Sequence, residues 1–353
     1  MKKIAEVGWK CPSNIAFIKY WGKHGNQLPE NPSLSMTLEK CFTETNLTVY
    51  ERVDKASDKI EFSFRFHGRD IQSFSKRVSR YLETLSSELK FLKKYSWYFE
   101  SKNSFPHSAG IASSASAMGA MALCLATTWQ HLENKTFPDF YRTASELARI
   151  GSGSASRSLF GEYSVWGKTN SIKDTSDNYA IGLKNMFHKD YLCMRDIILI
   201  IDSSQKKVSS STGHELMKTH PYASKRYEKA RKNLSELVEA MTKGNFEKFS
   251  CLLEHEALSL HAMMLMSKPW YSLIQPATIT VINKIKEFRE ENNVKVTFSL
   301  DAGPNVHVIF PAEEDVPVRK FIETELIQYC SEGKYIVDSI GLGPELILNG
   351  FDR

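Results

Sequence analysis

Four short segments of this 353-residue chain carry residue types suited to work on phosphate and carboxylate groups. The first is Ser104-Phe105-Pro106-His107-Ser108-Ala109-Gly110-Ile111-Ala112-Ser113-Ser114-Ala115-Ser116-Ala117, a small-residue loop running into a helix. Small residues let backbone approach an anion, and the free N–H groups of a first helical turn then point at it. Hydroxyls of Ser113, Ser114 and Ser116 add donors for phosphate oxygens, or a ligand for Mg²⁺. No Gly-Lys-Ser/Thr closes the loop, so it is not a Walker A sequence. A serine-capped helix packed closely on a neighbour fits the same spacing.

The second segment is Asn14-Ile15-Ala16-Phe17-Ile18-Lys19-Tyr20-Trp21-Gly22-Lys23. On an extended chain an even spacing puts Lys19 and Lys23 on one face, where two ammonium groups suit a diphosphate. A strand end with solvated lysines and a core tryptophan is the plainer alternative. The third, Gly151-Ser152-Gly153-Ser154-Ala155-Ser156-Arg157-Ser158-Leu159-Phe160-Gly161, combines little bulk with hydroxyls and one arginine. Arginine can grip a carboxylate bidentately; a surface loop with an incidental arginine is the alternative. The fourth, Asp301-Ala302-Gly303-Pro304-Asn305, lies between two apolar runs. Its aspartate either caps a turn or presents an acid/base group into a cleft.

The elements that must position these segments are legible in outline. Residues 6–18 read as extended and 22–32 as a turn. Residues 43–50 and 59–66 carry alternating β-branched or aromatic positions and read as strands. Helical spacing runs through 73–92, 112–132 and 138–150. The second half opens on a strand at 197–202 and a polar Ser-rich stretch at 203–212. Helices follow near 221–242, 245–266 and 276–292, then strands at 295–300 and 306–310 around the fourth segment. One more helix and short strands near Tyr335 and Leu346 close the chain. The pattern is α+β in two halves, 1–190 and 191–353, without internal repeats.

Composition is that of a globular protein, 42% hydrophobic and 25% charged. A net charge of +5 suits polyanionic small molecules without pointing to nucleic acid. The densest basic run, Lys225 to Lys232, has the spacing of a solvated helix face. The longest aliphatic run, 197–201, is too short to span a bilayer, and no apolar region follows the N-terminal lysines, so neither membrane nor signal peptide is expected. Six scattered cysteines read as reduced thiols of a cytosolic protein. His255-Glu256 followed by His261 lacks the HExxH zinc spacing, and Met263, Met264 and Met266 read as core packing.

Lys19-Tyr20-Trp21-Gly22-Lys23, with Leu34-Ser35-Met36-Thr37-Leu38, resembles the N-terminal signature of the diphosphomevalonate decarboxylases. Phe105-Pro106 through Ser113-Ser114-Ala115 is similar to the phosphate loop of the GHMP kinase superfamily that contains them. The Gly151–Gly161 segment resembles the family's substrate loop, and Asp301-Ala302-Gly303-Pro304-Asn305 its catalytic motif. The matches span residues 10–310 in the family's order.

The resemblance implies a GHMP kinase fold, with a ribosomal protein S5 domain 2-like N-terminal half and an α/β C-terminal half around a deep cleft. It implies that ATP and Mg²⁺ serve to phosphorylate the 3-hydroxyl of mevalonate 5-diphosphate, with loss of phosphate and CO₂ to give isopentenyl diphosphate. Asp301 would orient or deprotonate that hydroxyl, Lys19 would keep Asp301 ionised, and Arg157 would hold the carboxylate. Tyr20, Lys23 and one or more of Ser209, Ser210 and Ser211 would hold the diphosphate, and Ser152 and Ser154 would position the substrate. Backbone around Gly110, with Ser113, Ser114 and Ser116, would hold the ATP phosphates, and Ser114 would reach Mg²⁺. Dimers are common among relatives, so a homodimer is expected, though no interface is legible. The chain departs from the pattern at His24-Gly25, Asn31-Pro32-Ser33, His107-Ser108 and Ser156, none of them an assigned catalytic group. These departures bear on the choice between mono- and diphosphate. A kinase that stops at phosphorylation, a monophosphate decarboxylase and an inactive GHMP-like binding protein are the rival readings.

Overall fold

Two long strands organise the N-terminal half of the computed structural model, which describes residues 2–54, 56–106, 111–204 and 208–351. They are β1 (Lys3–Ala16) and β4 (Ser33–Glu51), separated by the small hairpin of β2 (Lys23–His24) and β3 (Leu28–Pro29). Next come β5 (Glu61–Phe66), α1 (Gln72–Leu85), β6 (Tyr95–Asn103), α2 (Ser113–Leu132), α3 (Phe140–Gly151), β7 (Tyr163–Trp166) and β8 (Ala180–Gly182). The second half holds β9 (Met194–Leu199), α4 (Ser210–Leu216), α5 (Ala223–Lys243), α6 (Phe246–Met266), α7 (Pro276–Asn292) and β10 (Thr297–Leu300). It closes with β11 (Val306–Pro311), α8 (Asp315–Phe321), β12 (Tyr335–Ser339) and β13 (Glu345–Phe351).

The first sheet has the order β13-β1-β4-β6-β5, with β7 and β8 attached to the start of β4. All its pairings are antiparallel except β5 on β6. The start of β4 is buried on both faces, whereas its second half alternates buried and open positions, as a strand covered on one side does. α2, rich in Ala and Met, is buried nearly all round. The second sheet, β10-β11-β9-β12, is antiparallel throughout.

Two apolar clusters among the described residues join the halves, the smaller packing Trp21 with Met217, Leu260 and Met264. Ile15, Phe17, Leu34 and Met36 from the first sheet pack with Leu234, Leu237, Phe249 and Leu253 of α5 and α6. The division at residue 190 is crossed again where β13 returns to pair with β1, Ala5 opposite Phe351, and where Asp338 accepts the N–H groups of Glu39, Lys40 and Cys41. Among the described residues no helix is long and apolar enough to cross a membrane.

Local departures from the expected elements have local causes. The helix expected over 73–92 stops at Leu85, where the Ser86 and Ser87 hydroxyls donate to the carbonyls of Glu83 and Thr84 and compete with the backbone. The polar stretch 203–212 ends inside α4, which starts there because Ser209 Oγ accepts the Thr212 N–H at 3.1 Å.

Candidate active site

The four chemistry-bearing segments meet at one cavity of about 370 Å³ between the halves. Asn14, Lys19, Tyr20 and Lys23 reach it from the end of β1 and the turn beyond, and Ser113 and Ser114 from the first turn of α2. Ser152, Ser154 and Arg157 come from the 3₁₀ segment after α3, Ser209 and Ser210 from the start of α4, and Asp301 from the end of β10.

Lys19 is the centre of the arrangement. It is buried, and its Nζ donates to Ser299 Oγ at 2.9 Å and to Asp301 Oδ1 at 3.1 Å. Its backbone is held at both ends: its N–H donates to Glu256 at 3.0 Å and its carbonyl accepts from Asn31 at 3.1 Å. Glu256 is itself fully buried and takes Arg226 at 2.7 Å and Asn233 at 2.6 Å. Burial pulls the Lys19 ammonium below the usual lysine range, while Asp301 pushes the other way. Asp301 is fixed in turn through its carbonyl, which accepts from the Gly303 N–H at 2.7 Å and His261 Nε2–H at 3.1 Å.

Arg157 lies buried beneath the cavity floor. Its Nη1 donates to Ser33 Oγ at 2.6 Å, and Nε and Nη2 donate to Asn14 Oδ1 at 3.4 and 3.3 Å. Asn14 is turned that way because its amide donates to Ser158 Oγ at 2.8 Å. Burial brings the guanidinium down to about 10, so it stays cationic at neutral pH with N–H groups left for a carboxylate. Among the described residues four cations (Lys19, Lys23, Arg77 and Arg157) line the cavity against the one carboxylate of Asp301, a balance that favours a polyanion.

The remaining sequence-derived candidates divide. Tyr20 packs on Trp166 at 4.8 Å, and its hydroxyl is buried with no hydrogen-bond partner among the described residues. Lys23 Nζ donates to Gln27 Oε1 at 2.9 Å. Lys19 and Lys23 share the cavity for a different reason from the one expected. The chain between them is not a strand, and Gly22 turns it with φ +102°. Only glycine fits there, since a Cβ would lie 2.1 Å from the Tyr227 hydroxyl. Ser152 Oγ lies 3.3 Å from Ser114 Oγ and 3.4 Å from Ser154 Oγ, a chain of hydroxyls along one wall. Ser209 lines the cavity while capping α4, and Ser210 is exposed beside it. Ser116 is a correction: its hydroxyl is buried 2.7 Å from Thr43 Oγ1 and does not line the cavity, because its position on α2 faces the sheet. Gly110 lies outside the described residues.

An apolar annex adjoins the cavity, lined by Phe64, Phe66, Phe74, Val78, Met118 and Met121 and sharing Arg77, Ser113 and Ser114 with it. Sequence reasoning missed this annex, together with Ser299, Glu256, Arg77 and His214. Asn14, Ser158 and Gly303 among the supporting groups sat inside recognised segments.

Comparison with known proteins identifies the family. The family model for the diphosphomevalonate decarboxylase-like N-terminal domain matches residues 11–180, and that for the mevalonate 5-diphosphate decarboxylase C-terminal domain matches 196–339. A diphosphomevalonate decarboxylase of Gibberella zeae is 31% identical over 331 residues, 90% of this chain and 83% of its own. This chain belongs to the diphosphomevalonate decarboxylase family. The family's fold is found here too: the crystal structure of mevalonate diphosphate decarboxylase from Staphylococcus aureus superposes with a TM-score of 0.83 at 29% identity, covering 98% of each chain. A second relative, abbreviated MDDEF and solved in complex with MVAPP, AMPPCP and magnesium, gives 0.81 at 27% identity, over 98% of this chain and 99% of that one.

Proposed function

We propose that this decarboxylase-family chain converts mevalonate 5-diphosphate and ATP to isopentenyl diphosphate, ADP, phosphate and CO₂. The observation that carries the reading is the contact of Lys19 Nζ with Asp301 Oδ1 at 3.1 Å, in a cavity that Arg157 also lines. Such a pair holds a carboxylate ionised next to a buried cation, which is what a base for a tertiary hydroxyl requires. Asp301 accepts the proton of the 3-hydroxyl or orients it for attack on the γ-phosphoryl group. Lys19 balances the charge that moves with that group. Arg157 holds the carboxylate until the 3-phosphate departs and leaves C3 electron-poor, and the C–C bond then breaks with release of CO₂. Tyr20, Lys23 and Ser210 take the diphosphate, with Ser209 beside them, and Ser152 and Ser154 set the position of the substrate.

The residues present also fit the nucleotide. Ser113 and Ser114 stand at the uncapped first turn of α2, with no acidic side chain in that turn, and the apolar annex next to them suits a nucleobase. Mg²⁺ would be held by the nucleotide's phosphates with the Ser114 hydroxyl, and when bound it would neutralise phosphate charge. The described residues contain no cluster of three His, Cys, Asp or Glu that would form a protein-only metal site. A cytoplasmic enzyme goes with this reading, since the cysteines are all unpaired, and a homodimer in solution is the expected assembly.

The test is ADP release with mevalonate, its 5-phosphate and its 5-diphosphate in separate reactions. Turnover confined to the diphosphate supports the reading; turnover of mevalonate alone overturns it.

A further inference from the structure

His214 belongs to none of the four segments, yet it lines the cavity beside Tyr20, Lys23 and Ser210. Its ring is wedged between Tyr20 and Trp21, with centroids 4.4 and 4.7 Å away. Nδ1 accepts the N–H of Gly22 at 3.0 Å. An imidazole nitrogen that accepts carries no proton, so the neutral ring holds its proton on Nε2. Burial, with Lys23 close by, brings the ring down to about 3, so it stays neutral at every working pH. Nε2 makes no hydrogen bond to any described residue. The ring is therefore fixed in one tautomer by one nitrogen and offers a donor at the other.

Two glycines make this placement possible. Gly22 presents its N–H from the positive-φ turn described above, and at Gly213 a Cβ would lie 2.3 Å from the Trp21 ring. The neighbouring Tyr20 hydroxyl is buried and also has no partner among the described residues. Two adjacent polar groups without partners among the described residues, in a cationic cavity, are open to acceptor atoms from a ligand.

We propose that His214 is a specificity-determining substrate contact, a neutral Nε2–H donor to the terminal phosphoryl oxygens of a diphosphate ester. The proposal rests on the reading that places the diphosphate at this end of the cavity. Lysine and arginine supply charge there, which attracts either a mono- or a diphosphate. A rigid neutral donor adds direction instead, and rewards only an oxygen at one position. A monophosphate ester ends one phosphoryl group short and gains nothing from it.

The experiment compares His214→Asn with His214→Gln. Asparagine can still accept from Gly22 but is too short to offer the outer donor; glutamine extends its amide to where Nε2 lies. Steady-state turnover is measured with mevalonate 5-diphosphate, and inhibition of that turnover with mevalonate 5-phosphate. H214N should raise KM for the diphosphate by about 10- to 100-fold, the worth of one hydrogen bond to a charged group. The loss should fall on KM rather than kcat, leave the inhibition constant of the monophosphate in place, and be largely restored in H214Q. Equal weakening of both esters, a loss confined to kcat, or failure of H214Q to rescue would overturn the proposal and leave His214 as a packing wedge. An unchanged KM in H214N beside normal parent turnover overturns it alone, whereas a parent protein that does not turn over the diphosphate overturns the substrate reading beneath it.

Discussion

Replacing Glu256 by Gln should unfold the protein at a markedly lower temperature and loosen the backbone that carries Lys19. The carboxylate is fully buried and receives Arg226 at 2.7 and 3.3 Å, Asn233 at 2.6 Å and the Lys19 N–H at 3.0 Å. A glutamine of the same shape has one acceptor oxygen. It would turn an NH₂ group towards one of these donors and leave the buried Arg226 guanidinium without a counter-charge. Removing one partner of such a pair costs about 3–5 kcal/mol. For a chain this long, each kcal/mol lowers Tm by roughly 2 °C, so the expected fall is ~6–10 °C. The assay is thermal unfolding of the parent, E256Q, R226M and the double variant E256L/R226M. The double variant should recover only the charge-imbalance share of the loss, because it removes both charges together while Asn233 and the Lys19 N–H lose their acceptor. A Tm for E256Q within ~2 °C of the parent would refute the reasoning, since it would mean that the pair is not desolvated.

Asp301→Asn should lower kcat by about 10²- to 10⁴-fold with little change in substrate affinity, as expected for loss of a base; kcat and a direct binding measurement check it, and near-parental turnover removes Asp301 from the mechanism. The rate should fall on the alkaline side at a lower pH than an ordinary lysine would give, because burial lowers Lys19 and activity needs its ammonium. A pH–rate profile flat up to the usual lysine range would contradict this. Gly22→Ala should cost about 1–3 kcal/mol of stability, since it forces a side chain into positive φ against Tyr227. Denaturant unfolding measures the loss, and an unshifted midpoint would show that the turn yields freely.

Much of the site was legible because its reactive groups sit in contiguous segments whose composition is odd for plain structure. Lys19, Arg157 and Asp301 come from three separate segments and converge on one cavity. What the sequence hid is what long-range pairing decides. Glu256 looked like half of a failed zinc motif, and only the packing of α5 and α6 against the end of β1 shows it as the anchor of Lys19. β13 reads as a short C-terminal strand, and nothing local indicates that its partner is β1 at the other end of the chain. Ser116 shares the small-hydroxyl character of Ser113 and Ser114, but two residues on from Ser114 the helix turns it away from the cavity, against Thr43. His214 lay between the polar stretch 203–212 and the helix expected near 221, and its meaning depends on a backbone N–H nearly two hundred residues away in sequence.

The central claim, that one cavity both phosphorylates and decarboxylates, is tested most directly by a product balance. Purified protein, MgATP and mevalonate 5-diphosphate are assayed together for ADP and CO₂. Equal amounts of the two are expected. ADP without CO₂ would contradict the account and make this chain a kinase.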